Sequence, residues 1–248
     1  MYQGYSRGVI PYEKECLTSP EILKQKAIMN EFRMSLFLAP ISPVKDDETG
    51  KVVKPATLTP YKTTDLQEVY KIITTNEQLK QLTGQVRMAV ESGDTQACRR
   101  LKQENLPYVT PCGVFTRRRS DCLTETSGLV VVDGGPPPLP AGRPALGVVD
   151  VDHLQSLAEA EALRQRLFDD PYLCPTLVFV SPTGRGVKAF VPCLHEQNPA
   201  EGIQWAMNYV HCMYDAENTQ PGQGVDTSGK DVVRACFLCH DEGALMKL

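Results

Sequence analysis

Residues 146–154 read LGVVDVDHL, and residues 176–193 read TLVFVSPTGRGVKAFVPC. Successive side chains of a strand alternate between its faces. In the first stretch Leu146, Val148, Asp150 and Asp152 therefore share one side, while Gly147, Val149 and Val151 pack on the other. The second stretch predicts two strands, 176–181 and 187–193, closed into a hairpin by Pro-Thr-Gly-Arg-Gly, a turn sequence. Helical spacing over 155–169 and 199–217 and a last apolar run, DVVRACFLC, complete the pattern. Strands and helices in this order predict an α+β fold, a split β-α-β sheet with helices on one face.

Two carboxylates side by side at the end of an apolar strand repel each other and are costly to desolvate unless a cation or a basic partner neutralises them. Magnesium or manganese takes carboxylate oxygens and leaves positions open for phosphate. The plainer reading is a strand end with two solvated acids. In Ser181-Pro-Thr-Gly184-Arg185-Gly186-Val-Lys188, two glycines allow the backbone to approach a ligand, and Arg185 and Lys188 add charge suited to phosphate. A tight hairpin has the same composition. The loop is neither a Walker loop nor a dinucleotide fingerprint. Further on, Asp226 precedes the last run, where Arg234 shares a strand face with Cys236.

Working towards the N-terminus, GGPPPLPAGRPA (134–145) can hold neither helix nor central strand and reads as an exposed insertion. The triplet Val-Val-Asp stands on both sides of it, at 131–133 and 148–150. Either copy could occupy the strand that carries the acids; Asp133 is followed by two glycines rather than a second acid, which favours Asp150 and Asp152. SGLVVVD (127–133) and YVTPCGVFT (108–116) read as strands. Residues 64–104 turn helical in three pieces, MSLFLAPI (34–41) is a strand, and SPVKDDETGKVV is a hairpin tip. The chain thus divides into a strand, hairpin and helical part (1–105) and a working part (106–248), with one continuous domain as the alternative.

The 248 residues carry 26 basic and 30 acidic side chains, for a net charge of −4. Residues 1–125 hold 18 basic and 15 acidic residues, and 126–248 hold 8 and 15. Bulk positive charge is therefore not how this protein holds nucleic acid. No apolar run is long enough for a membrane helix and the first residues lack a signal stretch, which predicts a cytoplasmic protein with no membrane partner. The nine cysteines are odd in number and scattered, as expected of reduced thiols. Cys236-Phe-Leu-Cys239-His240 has the letters of a haem attachment site, but its apolar setting reads as a buried strand.

The order of an acidic pair on a strand, a basic Gly-rich hairpin, and a later Asp followed by a strand Arg resembles the archaeo-eukaryotic primase superfamily. The blocks LPYVTPCGVF, SGLVVVD, DVDHL, FVSPTGRGVKAFV and DTSGKDVVRACFLCHD resemble more closely the VirE N-terminal-type domain of bacteroidete replication and mobile-element proteins, from about residue 100 to 242. The resemblance implies an RRM-like, primase-type sheet flanked by helices. It implies Asp150, Asp152 and Asp226 as catalytic ligands of Mg2+ or Mn2+. Ser181, Gly184, Arg185, Gly186, Lys188 and Arg234 would hold a nucleoside triphosphate. The reaction implied is two-metal nucleotidyl transfer on a single-stranded DNA template, with a helicase or replication module downstream or in trans as partner. Lys188 stands where the superfamily carries histidine, so a catalytically inactive module binding single-stranded DNA or a replication partner is the alternative, and a metal-dependent nuclease another.

Arg117, Arg118 and Arg119 read as a solvated turn or as contacts to template phosphates. Arg99, Arg100 and Lys102 read as a solvated helix face, His153 as packing or capping, and Trp205 and Tyr209 as core.

Overall fold

The protein was analysed as a computed structural model, which describes residues 32–127, 145–152, 154–193, 199–214, 224–225 and 232–247. β1 (Arg33–Phe37), a hairpin of β2 (Val44–Lys45) and β3 (Val52–Lys54), and β4 (Lys62–Asp65) lead into α1 (Leu66–Thr75), α2 (Glu77–Glu91) and α3 (Thr95–Asn105). Each helix opens on a side chain that accepts an otherwise orphan amide. Asp65 takes Glu68 N–H, Asn76 takes Leu79 N–H and Asp94 takes Ala97 N–H, each cap worth about 1 kcal/mol. These caps set the three helical pieces read from the sequence, the third opening at Asp94.

The single strand expected over 108–116 is two, β5 (Tyr108–Thr110) and β6 (Gly113–Phe115). Pro111 carries no N–H for a ladder, and after the turn β6 pairs with β7 (Leu123–Thr126) instead. β8 (Ala145–Asp152), α4 (Leu157–Phe168), β9 (Leu177–Val180), β10 (Val187–Cys193), α5 (Pro199–Tyr214) and β11 (Gly224–Val225) follow, then β12 (Cys236–Phe237) and β13 (Leu245–Met246). The long strand expected over 231–239 is reduced to β12. The expected strand from 128 onward, nearly all of the Pro-rich segment, His153 and Asp226 lie outside the described residues.

The fold is α+β. One sheet has the order β12-β5-β1-β4 and the other β11-β8-β10-β9-β13, with neighbours antiparallel in both. In the second, the connectivity is β-α-β-β-α-β, and β10 inserts between β8 and β9. Ser156 caps α4 by accepting Glu159 N–H, and the Glu159 carboxylate reaches back to Gln155 N–H, a reciprocal lock that fixes where β8 hands over to the helix.

The alternation read in β8 decides what each face touches. Val149 and Val151, with Val178, Val180, Val187, Ala189 and Val191, pack under α4 (Ala160, Leu163, Leu167) and α5 (Ile203, Ala206, Met207, Val210). Leu177, Phe179 and Phe190 point the other way, into a core shared with Met34 and Leu36 of β1, Leu66, Val69 and Ile73 of α1, and Cys236, Leu238 and Cys239. Both faces of β9 are covered, which explains its unbroken apolar run LVFV. No helix among the described residues is long and apolar enough to cross a membrane.

Candidate functional site

The polar end of β8 emerges where the apolar contact between the two sheets stops. In the antiparallel register, Lys188 of β10 stands directly opposite Asp150, so their side chains meet on one face. The ammonium forms a close ion pair with Asp150 Oδ2. The basic partner that the acid pair requires is thus on the neighbouring strand. Lys188 is only 7% exposed. Burial works against its charge, yet the Asp150 and Asp152 carboxylates and the hydrogen bond to Asp150 outweigh it and hold the pKa above that of an ordinary lysine. Cys236 from the other sheet lies close enough to feel this charge. Burial raises its thiol to about 12, so it stays neutral.

Only one oxygen of Asp150 is satisfied in this way. Its Oδ1 is buried and has no hydrogen-bond partner among the described residues, a state that costs an isolated acceptor about 1–3 kcal/mol. The hairpin turn closes in from the side. A Cβ on Gly186 would lie 2.5 Å from Val151 O and 2.8 Å from Asp152 Oδ1; only glycine lets the turn lie against the end of β8. Gly184 has φ +71°, a left-handed conformation that glycine adopts freely. Ser181 N–H donates to Gly186 O at 2.8 Å, and the Ser181 and Thr183 hydroxyls are 3.0 Å apart.

Together these groups border a cavity of about 350 Å³, lined by Asp150, Asp152, Ser181, Thr183, Lys188 and Arg234 on its polar side. Ile41, Ala235 and Phe237 give it an apolar wall, and Lys102 of α3 reaches it from the N-terminal part. The structure therefore brings together Asp150, Asp152, Ser181, Lys188 and Arg234, with Gly184 and Gly186 shaping the turn. Arg185 is exposed, its carbonyl accepting Leu154 N–H at 2.9 Å. Asp226 lies outside the described residues. The chain before it is described as far as Val225, which pairs with Val151. Among the described residues no group of three or more His, Cys, Asp or Glu side chains is placed to hold a metal.

The three arginines at 117–119 do not line the cavity. Arg118 donates to Ile41 O at 3.0 Å and stacks over Tyr108, and Arg119 pairs with Asp121. Arg117 is exposed. Trp205, read as core, is 48% exposed and stacked on Tyr209. Lys102 was legible only as one charge on an amphipathic helix, and nothing in its spacing singled it out. Asp241 was missed as well. It receives both bonds of Arg164 Nη1 at 2.8 and 3.0 Å, Val180 N–H at 2.7 Å and Gly243 N–H at 3.0 Å, and so clasps the C-terminal turn to β9 and α4.

Residues 145–245 match the family model of the BT4734-like N-terminal domain. The match begins with β8 and takes in the acid pair, the hairpin, Arg234 and Phe237, but not Ile41 and Lys102 on the opposite wall. No curated protein and no solved structure matches the chain.

Proposed function

We propose that this chain is a primase-polymerase-like nucleotidyltransferase module. It would hold a nucleoside triphosphate with Mg2+ or Mn2+ in the Asp150–Lys188 cavity and act on single-stranded DNA during replication of a mobile element or phage. The observation that carries the reading is the convergence of two strand-end carboxylates with Lys188, Arg234 and Lys102 on one cavity. The cavity size falls within the range of small-ligand sites, and the β-α-β-β-α-β connectivity agrees with an RRM-like sheet.

The donor set fits a hard cation on one count. Asp150 Oδ1 is a buried acceptor with no partner among the described residues, and Asp152 shares its face. Asp150 and Asp152, with Asp226 as the third carboxylate, are the residues that would hold the metal, whose role is to polarise the reacting phosphate and to help form the attacking oxyanion. Arg234 and Lys102 supply positive charge for phosphate oxygens, and Ser181 offers a hydroxyl. Lys188 acts chiefly by fixing Asp150.

A second reading, a non-catalytic module that binds single-stranded DNA or a replication partner such as a helicase, is favoured by the same ion pair. Lys188 already neutralises Asp150 without a metal. Incubation of the full chain with Mn2+, labelled nucleoside triphosphates and primed and unprimed single-stranded DNA separates the two. Incorporation that depends on Mn2+ and falls by roughly 10²-fold or more in Asp152→Ala is the expected result. DNA binding without incorporation, unchanged in that variant, would replace it with the second reading. Degradation of the DNA without nucleotide would make the site a metal-dependent nuclease. A cytoplasmic setting accords with each of these.

A further inference from the structure

Among the described residues, four buried side-chain atoms have no hydrogen-bond partner: Arg87 Nε, Asp150 Oδ1, Arg164 Nε and His240 Nδ1. Asp150 Oδ1 borders the cavity already described. Two of the three nitrogens belong to residues that line a second cleft, of about 390 Å³, between α2, α4 and the turn at 240–243. Arg87 and His240 line it, with Lys80 at its rim. Arg164 stands against its wall, where a Cβ on Gly243 would come within 2.6 Å of the guanidinium. His240 is only 8% exposed, and its backbone is pinned by Thr83 Oγ1 at 2.8 Å.

We propose that this second cleft is an oxyanion site for a phosphate group, with Arg87 as its principal ligand and His240 and Lys80 beside it. The charges around it decide the sign. Asp241 is engaged by Arg164 and by two backbone amides. Glu242 is an exposed side chain paired with Lys80 and His240. Glu161 of α4 also lines the cleft, as an exposed carboxylate screened by solvent. Arg87 has no salt bridge to any described residue, so its half-buried guanidinium is the charge left without a partner. A planar fork of N–H donors is matched by a phosphate, which presents several acceptors to it at once.

The position of the cleft gives this site a relation to the first. A Cβ on Gly184 would lie 3.4 Å from Arg87 Nε, so Arg87 sits behind the turn whose other side, Ser181 to Thr183, borders the Asp150–Lys188 cavity. The two clefts flank one hairpin turn, one bordered by the unpartnered Asp150 Oδ1 and the other by the unpartnered Arg87 Nε. A phosphate in the second cleft would buttress that turn. The inference goes beyond nucleotidyl transfer and does not require it, because it needs neither metal nor catalysis.

The test is isothermal titration of the full chain in EDTA, once with inorganic phosphate and once with a short oligothymidylate. The expected result is binding of at least one probe that weakens roughly 10- to 100-fold in Arg87→Gln and less in Arg87→Lys, which keeps the charge. Phosphate binding alone identifies a small phosphorylated ligand, whereas oligonucleotide binding competed by phosphate identifies a nucleic-acid backbone. Failure of the wild-type chain to bind either probe overturns the proposal, as does equal binding by folded Arg87→Gln. Should that variant fail to fold by circular dichroism, Lys80→Gln carries the same decision. Loss of nucleotide incorporation reports on the first cavity only, so the two proposals fail separately.

Discussion

Two aspartates, Asp170 buried and Asp150 partly so, lie on opposite sides of the β8–β10 sheet and are satisfied in opposite ways. On the side covered by α4 and α5, Asp170 accepts Tyr172 N–H at 2.8 Å and Leu173 N–H at 2.7 Å, and the phenols of Tyr209 and Tyr214 at 3.0 and 2.6 Å. On the open side, Asp150 has a full positive charge on one oxygen and nothing among the described residues on the other. An acid surrounded by neutral donors closes a structure and leaves nothing for a ligand to take. An acid held by one cation, with a lone acceptor facing a cavity, is poised to exchange partners. Under the proposed function, that difference makes Asp150 the ligand-binding aspartate and Asp170 a structural one, although both stand against the same sheet.

The largest effect that probes this difference is expected from Lys188→Met. With its partner gone, Asp150 becomes an uncompensated buried charge, and the variant should lose roughly 3–5 kcal/mol in urea unfolding. The double variant Asp150→Leu/Lys188→Met should recover to within about 1 kcal/mol of wild type, because replacing both members of a buried pair by apolar groups is often neutral. The raised pKa of Lys188 fixes the sign of its pH dependence. Its contribution is present below the unfolded-state value of about 10.4 and is lost as the pH rises through the higher folded value. Addition of Mn2+ should stabilise Lys188→Met more than wild type if the freed Asp150 takes a cation, through ligand linkage. An unchanged midpoint with Mn2+ would remove Asp150 from the proposed metal ligands.

The acid pair, the hairpin and the alternation of β8 were legible because a two-residue period and a Pro-Thr-Gly-Arg-Gly turn are local signals. Register within the hairpin followed from them, with Lys188 opposite Phe179; the pairing of β10 with β8 that sets Lys188 against Asp150 did not, because a helix and a strand separate the two in sequence. The second wall was not legible. Ile41 and Lys102 are far from β8 in sequence and reach the cavity only because the two sheets share a core, an arrangement no local period encodes. Asp241 and Arg164 meet across the fold for the same reason. The 108–116 run misled in the other direction, since its β-branched and aromatic residues predict a strand while Pro111 divides it. Trp205 was misjudged because apolar spacing on α5 says which side faces the sheet, not how far that cover extends.

Gly186→Ala attacks the geometry of the open side rather than its charge. Its Cβ would fall 2.5 Å from the Val151 carbonyl, a backbone atom with little freedom to give, so the turn must lift away from β8. Overpacking of this kind costs about 1–3 kcal/mol, and the displacement should also weaken the proposed nucleotide binding, measured by titration, because Ser181 and Thr183 move with the turn. An alanine variant with wild-type stability and binding would show that the close approach has no role.

Asp170→Asn tests the closed side, and its effect should be the smallest. The amide keeps one acceptor oxygen but presents N–H groups towards donors, so some of the four hydrogen bonds are lost, at a cost of about 1–2 kcal/mol. Burial raises the Asp170 pKa, but the Leu173 and Tyr172 amides and the two phenols outweigh it, and the carboxyl titrates below the usual carboxylate range. The same contact, together with burial, pushes Tyr209 up to about 12. A depressed carboxylate contributes stability above its unfolded-state value of about 3.9 and loses it as the pH falls through the lower folded value. Wild type should therefore be steeper than Asp170→Asn in unfolding measured across that acid window, while the two run parallel near neutrality. Nucleotide binding should be unchanged in the variant, because every partner of Asp170 lies on the helix side of the sheet. A variant that unfolds normally but loses binding would abolish the distinction between the two aspartates.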